Sequence, residues 1–187
     1  MSPERVTPNW IEQAASPRSY RALFKWGDPH GFKHPNRGML AVLKETFGMT
    51  DADFVTLQRT GMEDFDADIP PALEARHLEF FEGLLGAENV LTGTFERTRA
   101  SYGGGMMDAL RLRQHIVENL PAAVLAPRTR ADVEALMRYC DEQRIPLYVY
   151  GGGSTVTRGF EAVKGGVCLD LSRHFNQVLD FNETAQT

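Results

Sequence analysis

The sequence lacks the features that would commit it to a membrane or to a nucleic acid. No stretch approaches the roughly 18 apolar residues of a membrane-spanning helix, and residues 1–10 are polar and contain prolines, unlike a signal peptide. The formal net charge is −5 and no run of basic residues occurs, which argues against a nucleic-acid surface. These absences predict a cytoplasmic protein with no transmembrane segment and no nucleic-acid partner.

Cysteine is also scarce. Only two occur, Cys140 and Cys168, and both fall at apolar positions. This pattern predicts reduced core residues, although the sequence leaves a disulfide between them open. His30 and His34 stand four residues apart, but the glycine and the proline that follow them argue against the helix that a metal-binding pair would need. We therefore predict no bound metal.

The composition is that of a protein able to bury an ordinary core, with 42% hydrophobic and 24% charged residues among 187. Prolines and glycines are frequent in the first 70 residues, and short helices fit between them, whereas strands dominate beyond residue 121. The change of pattern predicts an α+β fold. A mainly helical N-terminal region is expected over residues 1–86, followed by an α/β part over residues 87–187.

Two helices are predicted before residue 90. Residues 39–47 are apolar on one side, and Gly48 is a suitable stop. A longer helix is predicted over 71–85, with Pro71 in its first turn and Gly86 just beyond its last. Its apolar stripe has helical spacing: Leu73, His77, Phe80, Phe81 and Leu84. The place of His77 on that stripe favours a core histidine over a catalyst.

From residue 121 onward the sequence predicts strands around one helix. Residues 122–126 form a short apolar run, and Thr129 and Asp132 have the spacing of a capping box that opens a helix. One face of that helix is predicted to be buried: Val133, Leu136, Met137 and Cys140. Further strands are predicted over 147–150, 167–171 and 177–181. The first strand, the helix and the second strand are long enough for a parallel crossover.

A glycine-rich loop, residues 151–159, follows the second of these strands. Its three consecutive glycines permit positive φ angles and close approach of backbone N–H groups to a ligand. Such a turn can form a concave nest of donors that matches phosphate oxygens. Hydroxyl donors are available from Ser154, Thr155 and Thr157, and Arg158 could add a charge-assisted contact. A diphosphate therefore suits the loop.

Other glycine loops fit less well. The Gly-Lys-Ser/Thr ending of a Walker loop is absent, and Val156 stands where a Rossmann fingerprint needs glycine. The loop is predicted to lead into a strand, so no helix N-terminus is expected to help hold an anion. A glycine-rich turn without any ligand remains an alternative. A second glycine run, 103–105, is predicted to be a flexible turn before a helix over 106–114.

Taken together, these motifs resemble the first FAD-binding subdomain of the vanillyl-alcohol-oxidase-type flavoproteins, the PCMH-type fold. The resemblance covers the chain from about residue 84 onward. It rests on the order and spacing of several segments: Pro127 with the capped helix, Ile145-Pro146, and residues 151–155, 165–173 and 178–180. The resemblance implies an extended FAD between two α+β subdomains, with the glycine-rich loop on its pyrophosphate.

The site residues follow from that resemblance by position. The implied cofactor-binding residues are Val149, Tyr150, Gly151, Gly152, Gly153, Ser154, Thr155, Thr157, Arg158 and Gly159. Some members of the superfamily attach the flavin to a histidine in this loop. The matching position here is Gly153, which cannot form that bond, so the resemblance implies non-covalent FAD.

Two earlier segments narrow the resemblance. Residues 24–29 are similar to an early Trp-Gly segment of alkyldihydroxyacetonephosphate synthase and its bacterial homologues, and residues 100–103 with 108–113 are similar to the stretch before their first sheet strand. Glycolate and D-lactate dehydrogenases share the later motifs and usually lack the early one. A synthase-like enzyme is thus the first hypothesis, a 2-hydroxy-acid dehydrogenase the second, and a non-catalytic nucleotide- or partner-binding module the third.

Relatives also have a second FAD-contacting subdomain and a cap domain with the substrate and most catalytic residues. The resemblance therefore implies the FAD-binding part of a larger FAD-dependent oxidoreductase, inactive by itself. Its small-molecule substrate would bind beyond these 187 residues. No catalytic residue is assigned, and a homodimer is left open.

Overall fold

The computed structural model describes residues 16–24, 37–54, 63–65, 67–102 and 104–185. The chain forms two compact units, Met1–Asp66 and Ala67–Thr187. The predicted division after residue 86 stays a prediction. The histidine pair at 30 and 34 and most of the early segment 24–29 lie outside the described residues. No helix in the described ranges is long and apolar enough to cross a membrane.

The described part of the first unit includes the α-helices α1 (Tyr20–Phe24) and α2 (Arg37–Phe47) and a 3₁₀ turn over Asp51–Phe54. Helix α2 ends where the sequence predicts, because Gly48 adopts a φ of 65° that only glycine accepts readily. The 3₁₀ turn begins with Asp53 Oδ2 accepting hydrogen bonds from the amide and the hydroxyl of Thr50, at 2.6 and 2.9 Å.

The second unit is a four-stranded sheet with helices. Its elements are α3 (Ala75–Leu85), β1 (Val90–Leu91), α4 (Thr94–Arg99), α5 (Met106–Arg113), β2 (Ala123–Leu125), α6 (Arg130–Glu142), β3 (Leu147–Tyr150) and β4 (Val167–Asp170). The strand order is β1-β2-β4-β3, with β1 antiparallel to β2 and the other pairs parallel. The predicted parallel crossover through α6 is confirmed, and β4 lies between its two strands. Strand β1 was not predicted.

The central strands are buried on both faces. On one face, residues of β2 and β4 pack against α3 and α6, in a core that includes Phe81 and Leu136. On the other face, Val124 and Cys168 pack with Ala100 and the ring of Tyr150. Alternate residues of a strand point to opposite faces, so one short apolar run serves both cores. This explains why the strands read as continuous apolar segments.

Helix α6 begins with the predicted capping box. Thr129 Oγ1 accepts a hydrogen bond from the Asp132 amide at 3.1 Å, and Asp132 Oδ2 accepts one from the Thr129 amide at 2.9 Å. Leu136 and Cys140 are buried as predicted, but Met137 is 55% exposed. The prediction of a wide buried face is wrong at Met137, because the contact with α3 and the sheet covers only a narrow stripe of α6.

Helix α3 starts at Ala75, four residues later than the prediction from Pro71. Glu74, just before the helix, has an extended backbone (φ −66°, ψ 142°), and further back the Arg97 guanidinium donates to the carbonyls of Ile69 and Pro70 at 2.5 and 3.5 Å. His77 is buried, and its Nδ1 lies 2.9 Å from the Tyr139 hydroxyl. The prediction of a core histidine is therefore confirmed.

The strand predicted over 177–181 is wrong. These residues form no strand, and the side chains of Val178 and Leu179 are 86% and 93% exposed. A strand needs a neighbour that satisfies its backbone donors and acceptors. None of the strands in the described part of the chain pairs with this segment.

Both cysteines are free and buried, which leaves no disulfide. Burial raises the pKa of the Cys140 thiol to about 11 and, with a contribution from the nearby Asp170 carboxylate, that of Cys168 to about 12. Because only the thiolate is nucleophilic, we expect iodoacetamide to leave both cysteines unmodified in the folded protein at neutral pH. Mass spectrometry should show two adducts only after unfolding, and rapid labelling of the native protein would contradict this burial.

Candidate flavin site on the glycine-rich loop

The glycine-rich loop leaves the carboxyl end of β3 and leads to β4 without an intervening helix. The predicted strand-to-strand connection is therefore confirmed. The carboxyl ends of parallel strands are the edge at which open α/β sheets bind their ligands. The loop thus occupies a position in the fold where a ligand site is expected.

The predicted site residues lie along an accessible rim with one buried anchor. Tyr150 is buried, and its ring packs edge-on against Phe160 with 5.4 Å between the ring centroids. The half-buried members are Gly153, Thr155 and Arg158. The exposed members are Val149, Gly151, Gly152, Ser154, Thr157 and Gly159. The structure therefore brings all ten into one continuous segment, anchored at its start.

The backbone amides of the loop are available to a ligand. Among the described residues, none of the amides from 151 to 156 donates a hydrogen bond, and the Thr157 amide donates only to its neighbour Thr155 Oγ1, at 3.3 Å. Gly153 and Arg158 have φ angles of 64° and 62°. Residues in the left-handed region turn successive N–H groups toward one side, which is how backbone nests bind anions.

The three consecutive glycines of the loop differ in what they do for the fold. A Cβ at Gly153 would lie 2.5 Å from the Tyr150 hydroxyl, and its positive φ disfavours any side chain. A Cβ at Gly151 or Gly152 would meet nothing within 4 Å. The protein itself thus requires glycine only at Gly153. At Gly151 and Gly152 the missing side chain leaves space for something outside the chain.

The second glycine run supports this loop. The Gly104 amide donates a hydrogen bond to the Thr155 carbonyl at 3.2 Å. A Cβ at Gly105 would lie 3.0 Å from the Val156 carbonyl oxygen, so the two backbones are in close contact. The sequence predicted a flexible turn here and missed this role. The available signal was the placement of a glycine run immediately before α5.

Charged side chains continue the support from α5. The Nε of Arg158 lies 3.2 Å from Oδ1 of the buried Asp108, and its Nη2 donates to Glu161 Oε1. Burial by itself raises the pKa of Glu161, but hydrogen bonds from Arg158 and Asn119 outweigh burial and hold that pKa below its usual value. Two carboxylates therefore engage the guanidinium that the sequence assigned to the diphosphate.

Comparison with known proteins identifies the segment. Residues 121–187 match the family model of the FAD binding domain. D-lactate dehydrogenase [cytochrome], mitochondrial, of Arabidopsis thaliana is 36% identical over 58 residues, which are 31% of this chain and 10% of that protein. D-2-hydroxyglutarate dehydrogenase of Pantoea ananatis is 34% identical over 114 residues, 60% of this chain and 10% of that protein.

The fold is also similar to that of a solved structure. Alkyldihydroxyacetonephosphate synthase in one crystal form matches with a TM-score of 0.57 and 22% identity, over 62% of this chain and 24% of that chain. The predicted α+β fold, with the first part of a PCMH-type FAD-binding domain, is confirmed, and FAD is confirmed as the cofactor of the family. The chain spans about a tenth of the length of the two curated relatives.

A cavity beside the glycine-rich loop is too small to hold a whole dinucleotide. Its volume is ≈ 100 Å³, whereas pockets for whole ligands measure about 300–1,000 Å³. It is lined by Leu91, Phe95, Glu96, Arg99, Ala100, Val124, Tyr150 and Asp170. The exposed loop fits an extended diphosphate better than the cavity does. Among the described residues its amides from 151 to 156 donate no hydrogen bond, and no protein atom lies near a Cβ built at Gly151 or Gly152. No metal-binding cluster of histidine, cysteine and carboxylate residues occurs in the described part of the chain.

Proposed function

We propose that the loop over residues 151–159 binds the diphosphate of FAD, and that the whole protein is an FAD-linked oxidoreductase. The observation that carries the proposal is that, among the described residues, the amides from 151 to 156 donate no hydrogen bond. They lie at or beside Gly151 and Gly152, where the fold itself does not require glycine. When bound, FAD supplies the redox chemistry, and the protein binds and orients the cofactor.

Backbone amides and side-chain hydroxyls of the loop would both donate hydrogen bonds to the diphosphate. The amides of Gly151, Gly152 and Gly153 would face the phosphate oxygens, because no Cβ stands in the way. The exposed hydroxyls of Ser154 and Thr157 add donors at the rim. Tyr150, held by Phe160, fixes the point where the loop leaves the sheet. Glycine at position 153 leaves no side chain for a covalent flavin bond.

The substrate class has two candidates. Sequence identity favours a 2-hydroxy acid, since the relatives at 34% and 36% identity are named as D-2-hydroxyglutarate and D-lactate dehydrogenases. Residues 100–103 and 108–113 favour an alkyldihydroxyacetonephosphate-synthase-like enzyme, whose substrate is a phosphorylated ketone bearing an acyl chain. We place the 2-hydroxy acid first, because higher identity over 114 residues outweighs two short segments.

The test is to purify the full-length protein and record its visible spectrum. We expect flavin absorbance bands, and we expect acid precipitation to release the flavin into the supernatant, because it is not covalently bound. Anaerobic addition of D-lactate or D-2-hydroxyglutarate should bleach the bands if a 2-hydroxy acid is the substrate. A colourless protein that gains no flavin when FAD is added would contradict the proposed function.

A further inference from the structure

The glycine-rich loop is held from one side by the start of α5. The contacts are of two kinds: a backbone hydrogen bond from Gly104 to the Thr155 carbonyl at 3.2 Å, and the ion pair between Asp108 and Arg158 at 3.2 Å. The first fixes the middle of the loop and the second fixes its far end. Both come from a segment that precedes the loop by about 50 residues in sequence.

Asp108 is unusual because its ionisable side chain is buried. The residue is 1% exposed and lies in the first turn of α5, where a carboxylate is favoured by the helix dipole. A carboxylate removed from water costs several kcal/mol unless charged or hydrogen-bonding partners offset that cost. Arg158 supplies a positive charge at its Oδ1. The side chain of Arg158 is thereby drawn toward α5.

Arg158 in turn has a strained backbone. Its φ of 62° lies in the left-handed region, which costs a non-glycine residue about 1 kcal/mol. The ion pairs with Asp108 and Glu161 offset that strain, and hydrogen bonding to Glu161 raises the pKa of Arg158 above its ordinary value. The side-chain contacts therefore stabilise a backbone conformation that the residue would otherwise avoid.

We propose that Asp108 is a positioning residue for cofactor binding: it fixes the FAD-binding loop through Arg158, and Arg158 shapes the loop instead of contacting the diphosphate. The proposal rests on the proposed function of the loop. It differs from the expectation drawn from sequence, in which the Arg158 guanidinium binds phosphate oxygens directly.

The substitution Asp108→Asn in the intact protein separates the two roles by the sign of its effect. If Arg158 shapes the loop, loss of the carboxylate charge should release it and raise the dissociation constant for FAD roughly tenfold, equivalent to about 1.4 kcal/mol. If Arg158 instead binds the diphosphate, removing a competing carboxylate should leave FAD affinity unchanged or increase it. Flavin fluorescence titration measures the constant, and the second result would overturn the proposal.

Glu118 provides a matched control, because it is linked through Arg111 to Glu161, the second carboxylate on Arg158. Glu118 pairs with Arg111, and its side chain is 61% exposed. We expect Glu118→Gln to change the FAD dissociation constant by less than about twofold, since an exposed ion pair contributes little. An equal loss of affinity in both variants would indicate a general charge effect and would also overturn the proposal. If Asp108→Asn does not fold, Glu161→Gln removes the other carboxylate on Arg158 and tests the same claim.

A second readout does not need FAD. Trypsin cleaves after arginine, and the Arg158–Gly159 bond lies in the held part of the loop. Mass spectrometry of brief digests should show faster cleavage at this bond in Asp108→Asn than in the wild type. Unchanged cleavage would contradict the proposal that Asp108 holds the loop through Arg158. Faster cleavage in a protein whose wild type binds no FAD would refute the proposed function while supporting the role of Asp108 in holding the loop.

Discussion

Replacing Gly152 with valine should abolish FAD retention in the intact protein and leave its melting temperature nearly unchanged. A side chain at this position meets no atom of the protein within 4 Å, and the residue does not have a positive φ. The fold therefore has no reason to reject valine. A diphosphate bound to the adjacent amides does, because the two methyl groups would occupy the space that the phosphate oxygens need.

The measurement is the ratio of flavin absorbance to protein absorbance after purification, together with the melting temperature of the flavin-free protein. We expect at least about a hundredfold loss of FAD affinity, equivalent to roughly 2.7 kcal/mol. Gly152→Ala should give a smaller loss, since a single methyl group intrudes less. Full flavin occupancy in Gly152→Val would refute the assignment of the diphosphate to this loop.

The neighbouring glycine provides the contrast. Gly153→Val should lower the melting temperature even without FAD, because its φ of 64° and the Tyr150 hydroxyl both oppose a side chain. The left-handed conformation alone costs roughly 1–2 kcal/mol. The two variants thus make the same chemical change one residue apart and are expected to affect different properties. If both altered only stability, the loop would have a structural role without a ligand.

The sequence predicted those parts of the fold that depend on local signals. The capping box of Thr129 and Asp132 sets the start of α6, and Gly48 sets the end of α2, because each motif satisfies backbone groups within a few residues. The two central strands, β2 and β4, were found because burial on both faces makes them continuously apolar. The glycine-rich loop was also predicted, because the residues of its motif are adjacent in the sequence.

The errors concern features that depend on distant partners. Helix α3 begins later than predicted, and the segment before it is bound by the distant Arg97, which the local pattern does not reveal. Residues 177–181 include Val178, Leu179 and Phe181, yet a strand exists only where another strand pairs with it. The support of the glycine-rich loop by α5 was missed because about 50 residues separate the two in sequence. Periodicity within a segment contains no information on which other segment will lie beside it.

Arg97 is the residue whose loss should destabilise the second unit most. It is 1% exposed, and its guanidinium donates to the carbonyls of Pro121 at 2.6 Å and Ile69 at 2.5 Å. Burial lowers its pKa. It joins the chain before α3 to the chain before β2. Within the described residues no carboxylate pairs with it, so backbone carbonyls alone compensate the buried charge.

Arg97→Met should therefore lower the free energy of unfolding by about 2 kcal/mol, because methionine fills most of the space but leaves the buried Pro121 carbonyl without its donor, which costs about 1–3 kcal/mol. Arg99→Met is the matched control, since Arg99 lies on the same helix and is exposed. It should change stability by less than about 0.5 kcal/mol. Urea unfolding, followed by circular dichroism, measures both. Equal midpoints for the two variants would show that water or relaxed backbone replaces the guanidinium at little cost, and that α3 and β2 are joined by apolar packing alone.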